Sequence, residues 1–279
     1  MPWKPANAVH AIDRALIKFE FGALPTKAFE KVFSLVKSAS EPYDFTDIVS
    51  VQNAQAFHIV ADADGTNLVP QPGVTSRRLR RLDTDGNVIE EIICSPSFLA
   101  FSISRYESWA SIASKMPPCL SAAVSYIQED IHNVDAVRLE YWDRFVQEVD
   151  GDEALLNPNT KLIPASFEKV VGSWHSHAGF FHLEGERRTL ININVDVISE
   201  IDAEANSLVA SQLSEGVSAL CRMYSLALVT PKSTSTFKDF DQCMEAANDA
   251  HELLKAAIGD VINPALAARI KLNAKAFQL

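Results

Sequence analysis

No apolar run in the chain is long enough to cross a membrane as a helix. The opening stretch, "MPWKPANAVHAIDRALIKFEF", lacks an apolar signal segment, so an intracellular, cytoplasmic protein is expected. Cysteine is scarce. Cys94, Cys119, Cys221 and Cys243 include no CxxC pair, which argues against a zinc knuckle and predicts buried free thiols in a reducing compartment. Positive charge is also in deficit. The formal net charge is -11, and phosphate backbones repel an acidic chain, so general nucleic-acid binding is disfavoured. There is no phosphate loop, no nucleophile elbow, no Gly-rich nucleotide fingerprint and no dense metal motif. Internal repeats and low-complexity segments are absent too.

What remains is ordinary for a soluble globular protein: 279 residues, 47% hydrophobic and 22% charged. That is enough chain for a real core in one large domain or two small ones. Ala11 to Phe21 reads as a strand. Pro25 to Ala39 reads as a helix with Phe29, Val32, Phe33 and Val36 on one stripe. "AQAFHIVAD" reads as a short strand. "RRLRRLDTDGNVIEEIIC" reads as a hairpin turning at Asp85-Gly86, and "SFLAFSISR" as the strand after it. Helical spacing runs from about Tyr106 to Ile131, with a break expected at Pro117 and Pro118.

"VDAVRLEYWDRFVQEV" alternates as a strand, with Val137, Leu139, Tyr141 and Phe145 opposite Arg138, Glu140, Trp142 and Arg144. The turn-rich loop "DGDEALLNPNTKLIP" divides an N-terminal half, 1–150, from a C-terminal half, 151–279, the two packing as one unit. Near the end come a strand, "EGVSALCRMYSLALVT", and a helix from Phe237 to Gly259. Thr236 and Asp239 suggest its capping box, Gly259 its stop, and His251 lies on its apolar stripe as a core or rim residue. This order predicts an α+β fold: a mostly antiparallel sheet, about three main helices on one face, and a wet opposite face.

The densest chemistry lies in "VVGSWHSHAGFFH", Val170 to His182, which holds three of the seven histidines. With Gly185 first in a two-residue type II′ turn, Glu184 faces Arg187, Ala178 faces Ile193 and Trp174 faces Val197. Apolar residues of both strands then share one face. His175, His177, Asn192, Asn194 and Asp196 share the other, and a one-residue slip would destroy that agreement. His177 falls opposite Asn194 and His175 opposite Asp196, while His182 falls on the apolar side. Two imidazoles and a carboxylate suit a divalent metal or a general base with its orienting carboxylate; a solvated sheet face needs neither. The basic run Ser76 to Leu82 puts Arg77 and Arg81 on one side and Arg78 and Arg80 on the other. Solvated arginines or a phosphate or acidic-partner contact would both fit.

"VVGSWHSH" resembles the metal-binding strand of the JAMM/MPN metallopeptidases, which continues H-x-H-P to a serine and an aspartate. Here Ala178 replaces the proline, and Gly185 and Arg188 fall where the serine and aspartate belong, so a ligand is missing. A wider resemblance rests on "ALIKFEF…FEKVFSLV", "VRLEYWDRF", "LININVDVI" and "ANDAHELLKAAI". Their order is similar to a sporadically distributed bacterial and archaeal family of about this length with no established activity. It implies attention to Arg138, Tyr141, Arg144, Asp196 and His251.

The leading expectation is therefore a non-catalytic binding or regulatory protein. It would meet another protein through the polar sheet face, for instance as an accessory subunit of an operon-encoded system; a homo-oligomer would also fit. No cofactor is predicted. The alternative is a metal-dependent or acid/base enzyme centred on His175, His177 and Asp196, assisted by Arg138 or Glu140. A third is a nucleic-acid contact through Arg77, Arg78, Arg80 and Arg81.

Overall fold

The computed structural model describes residues 2–7, 10–52, 57–62, 65–70, 75–148, 153–170, 172–200, 202, 216–232 and 236–277. In chain order the elements are β1 (Lys4–Pro5), β2 (Ile12–Phe21), α1 (Thr26–Ser40), β3 (Asp47–Gln52), β4 (Phe57–Asp62), β5 (Gly65–Pro70), β6 (Thr75–Leu82), β7 (Val88–Ser95) and β8 (Phe98–Ile103). They continue with α2 (Trp109–Asp130), β9 (Val134–Glu148), β10 (Trp174–Glu184), β11 (Arg187–Ser199), β12 (Val217–Pro231), α3 (Phe240–Val261) and α4 (Pro264–Arg269). Ten strands form one antiparallel sheet in the order β10-β11-β12-β9-β2-β8-β7-β6-β3, with β1 also pairing β9. β4 and β5 pair separately. The fold is α+β. Residues 54–56 of the expected strand "AQAFHIVAD" lie outside the described residues.

Alternation decides which side of the sheet is covered. Ala15, Ile17 and Phe19 of β2 and Val137, Leu139, Tyr141 and Phe145 of β9 are buried on one side. The stripes of the helices meet them there: Phe29, Val32 and Val36 from α1, Ile112, Met116 and Leu120 from α2, and Phe240, Leu254 and Ile258 from α3 join the same core. Each such side chain, fully buried, contributes about 1.5–3 kcal/mol, so packing rather than intrinsic propensity holds the helices in place. The sheet runs through both halves of the chain, because β9 is flanked by β2 on one edge and β12 on the other. The inter-half loop is tied into the core, with Leu155 and Leu156 buried.

Three local expectations are corrected. α2 passes through Pro117 and Pro118 without a break. The carbonyls left without N–H partners belong to Ala113 and Ser114, at half-buried and exposed positions where water can reach them, while Met116, Cys119 and Leu120 anchor the helix on both sides. The cap of α3 is Asp239, which accepts from the Gln242 N–H; Gln242 Oε1 reaches back to the Lys238 N–H. The box therefore begins three residues after Thr236. α3 also continues past Gly259 to Val261. A Cβ on Gly259 would stand 2.8 Å from the Ala274 Cβ, so this glycine admits the C-terminal segment instead of ending the helix.

The uncovered face is not uniformly wet. Leu16, Ile93 and Ala100 form a second small apolar cluster there, with Phe98 and Trp142 against it. Arg14 lies over Trp142 and Lys18 over Phe98. Among the described residues no helix is long and apolar enough to cross a membrane. All four cysteines are buried and free, and burial pushes the Cys94 thiol up to about 12, which makes it inert.

Candidate functional site: a polar hairpin face and an aromatic pocket

The β10–β11 register is the one the sequence dictates: Glu184 opposite Arg187, Ala178 opposite Ile193, His177 opposite Asn194 and His175 opposite Asp196. Gly185 has φ +51° and Glu186 has a negative φ, as a type II′ turn requires. Ile191, Ile193, Val195 and Val197 are buried, which fixes the polar residues on the opposite face. There His175 Nδ1 lies 2.5 Å from Asp196 Oδ1, both side chains at least half exposed. Asn192 folds over Gly179, where a Cβ would stand 2.6 Å from its Oδ1. Asn194 Oδ1 is buried without a hydrogen-bond partner. His182 is turned away and lies 3.6 Å from Glu184. Among the described residues no three His, Cys, Asp or Glu side chains converge as a metal-binding group. The hairpin face thus offers one imidazole oriented by one carboxylate.

The arginines are engaged within the protein. Arg77 forms a bidentate pair with Glu30 of α1 and lies over Phe33. Arg80 pairs with Asp47 at 2.6 Å, Arg78 with Glu91 at 3.3 Å and Arg81 with Glu90 at 2.7 Å. Their side chains are half-buried against neighbouring elements rather than freely solvated. Arg138 reaches Glu20 and Glu140, and Arg144 reaches Asp13. Internal carboxylates thus answer all six guanidinium groups.

A cavity of about 290 Å³, which no motif in the sequence announces, lies on the helix side of the sheet. β9 supplies Tyr141 and Asp143, the start of α2 supplies Trp109 with Tyr106 just before it, and α3 supplies His251 and Lys255. The C-terminal segment closes one side with Lys271 and Leu272. His251 stacks on Trp109, centroids 4.7 Å apart and planes within 8°. Its Nδ1 lies 2.9 Å from the Tyr141 hydroxyl. Tyr106 meets Tyr141 edge to face at 6.0 Å, and their hydroxyls interact.

Burial sets the protonation states. It holds His251 neutral by pushing it down to about 4, a change that the nearby Glu252 only partly opposes. It pushes Tyr106 up to about 12 and Tyr141 up as well. It also raises Asp143 to about 7, helped by the negative charge of Asp13. Asp143 is 8% exposed, and no hydrogen bond or ion pair to its carboxyl is found among the described residues. The site therefore combines aromatic walls, a neutral Tyr–Tyr–His chain and a carboxyl that changes charge near neutrality. Such a site can bind a small molecule, or pass a proton to one. No protein-family model matches the chain, and no curated protein or solved structure shows detectable similarity to it.

Proposed function

We propose that the protein acts by binding. Its principal ligand seat is the pocket between β9, α2 and α3, and the polar face of β10–β11 is a second surface, for a protein partner. The observation that carries the reading is the nearly buried Asp143 carboxyl lining an aromatic cavity with no partner among the described residues. A carboxyl withdrawn from water at a cost of several kcal/mol is retained more readily where a ligand completes its interactions. Trp109 offers the test. Ligand entry would disturb its stack on His251 and change the intrinsic fluorescence. Titration with a panel of small polar metabolites is expected to give saturable changes in the native protein that Trp109→Phe loses. If no compound produces a saturable change, and none raises the melting temperature, the pocket is not a ligand seat.

The contact of 2.5 Å between His175 and Asp196 favours a second reading, an acid/base or metal-assisted enzyme at the hairpin. Metal analysis of protein purified without a histidine tag separates the two readings. The binding reading expects equal, substoichiometric metal in the native protein and the His175→Ala/His177→Ala variant, both folded alike. Stoichiometric metal in the native protein that disappears in the variant would move the assignment to the enzyme.

A further inference from the structure

From the pairing of an uncompensated buried carboxyl with aromatic walls, we infer that the pocket takes an organic ammonium ion, its charge set against Asp143 and its carbon substituents against Tyr106, Trp109 and Tyr141. This rests on the pocket being a ligand seat. It goes further in naming the ligand's charge.

The charges around Asp143 support the assignment. On its own strand, Tyr141 is a neutral phenol; on β12, Cys221 is a buried thiol. From β2, Asp13 adds negative charge, although Arg144 holds that carboxylate at 3.0 Å. Before α2, Tyr106 is neutral and Glu107 adds an acid to the wall. From α3, His251 is uncharged, and the Lys255 ammonium lies 3.6 Å from Glu252. His10 stands edge to face with Tyr106, and Lys271 belongs to an exposed stretch of the C-terminal segment. The buried end of the pocket therefore holds the Asp143 carboxyl, while its lining cations lie elsewhere: Lys255 is paired with Glu252, and Lys271, like Glu107, is exposed. Above about pH 7, where Asp143 is ionised, a neutral ligand would leave its charge uncompensated. A cation compensates it and also lies against ring faces, whose quadrupoles attract positive charge. Because Asp143 titrates near neutrality, a bound ammonium displaces a proton, and affinity rises with pH until the carboxyl is fully ionised.

The experiment compares matched probes by calorimetry. Butylammonium and choline are each set against their uncharged counterparts, pentan-1-ol and 3,3-dimethylbutan-1-ol, and against pentanoate. At about pH 8 the ammonium probes are expected to bind at least roughly tenfold more tightly than their counterparts. That preference should shrink below about pH 6 and lose its pH dependence in Asp143→Asn, falling there to the small remainder that the ring faces supply. Proton release on binding, read from the dependence of the heat on buffer ionisation, should accompany it near pH 7. If neutral or anionic probes bind as well as the ammonium probes and perturb Trp109, the pocket stands and the charge assignment falls. If no probe of any charge binds, both fall.

Discussion

Asp143→Asn should make the protein more stable than the native chain, by a margin that grows with pH. The folded state holds the Asp143 proton up to about 7, against an ordinary value of 3.8, because burial disfavours the carboxylate. The folded-state pKa is raised. The native residue therefore gives its full contribution below 3.8 and loses it as pH rises through about 7. Asparagine has no charge to bury. Its advantage should increase by on the order of 2–3 kcal/mol between about pH 5 and about pH 8, part of the absolute gain being offset by its own unsatisfied amide. Urea unfolding of both proteins at the two pH values measures this. A pH-independent difference would mean that the carboxyl is compensated in the folded state. His251 works in the opposite direction: its lowered pKa means that its contribution is present above 6.5 and lost as pH falls towards about 4. Between about 4 and 6.5 the two slopes oppose and nearly cancel, so together they leave the native protein's stability almost flat there, with a further loss from Asp143 alone as pH rises from 6.5 to about 7. If asparagine stabilises the fold while removing most of the ammonium preference, the acid is kept at a cost to stability, as expected of a group retained for binding.

The second large effect is expected where β6, β7 and α2 meet. Glu90 is 5% exposed. Its carboxylate accepts from Arg81 Nε at 2.7 Å and Lys115 Nζ at 2.5 Å. Burial alone would raise its pKa, but the bonds from Arg81 and Lys115 outweigh burial and hold it below the usual value. Removing both partners, in Arg81→Met/Lys115→Met, strands a buried negative charge and should cost about 3–5 kcal/mol. Adding Glu90→Met should restore most of the loss, because a buried ion triad replaced entirely by apolar side chains is often near neutral. Chemical denaturation of the double and triple variants separates the loss of partners from the loss of packing. A double variant within about 1 kcal/mol of native would show that water satisfies Glu90.

The hairpin was legible in the sequence because everything that defines it is local. A two-residue turn at Gly185 sets the pairing, and both strands sort apolar from polar residues at period two. The strand faces of β9 and the stripes of α1 and α3 were legible for the same reason. The pocket was not, because its parts converge only in the fold: Tyr141 and His251 are 110 residues apart in the chain. One local signal was present. Asp143 interrupts the apolar face of β9 between Tyr141 and Phe145, and a charge on an inward face marks strain or function. The partners of Arg78, Arg80 and Arg81 lie on adjacent strands, within reach of pairing rules, whereas Glu30 lies on α1 and needed the tertiary structure. The proline pair misled because local backbone rules were outweighed by packing on either side of it.

The position of β9 bears on how the chain folds. β9 pairs β2 on one edge and β12 on the other, and β12 begins only at Val217. A nascent chain that has completed β9 therefore carries a long amphipathic strand with one edge open until synthesis supplies its neighbour. Pairings so distant in sequence close large loops before they yield stabilising contacts, which slows folding and exposes sticky intermediates. The early half should thus depend on chaperones or on rapid translation of the later half. Severing the chain near residue 150 and expressing the pieces apart should give aggregates, while expressing them together should allow the sheet to close across β9.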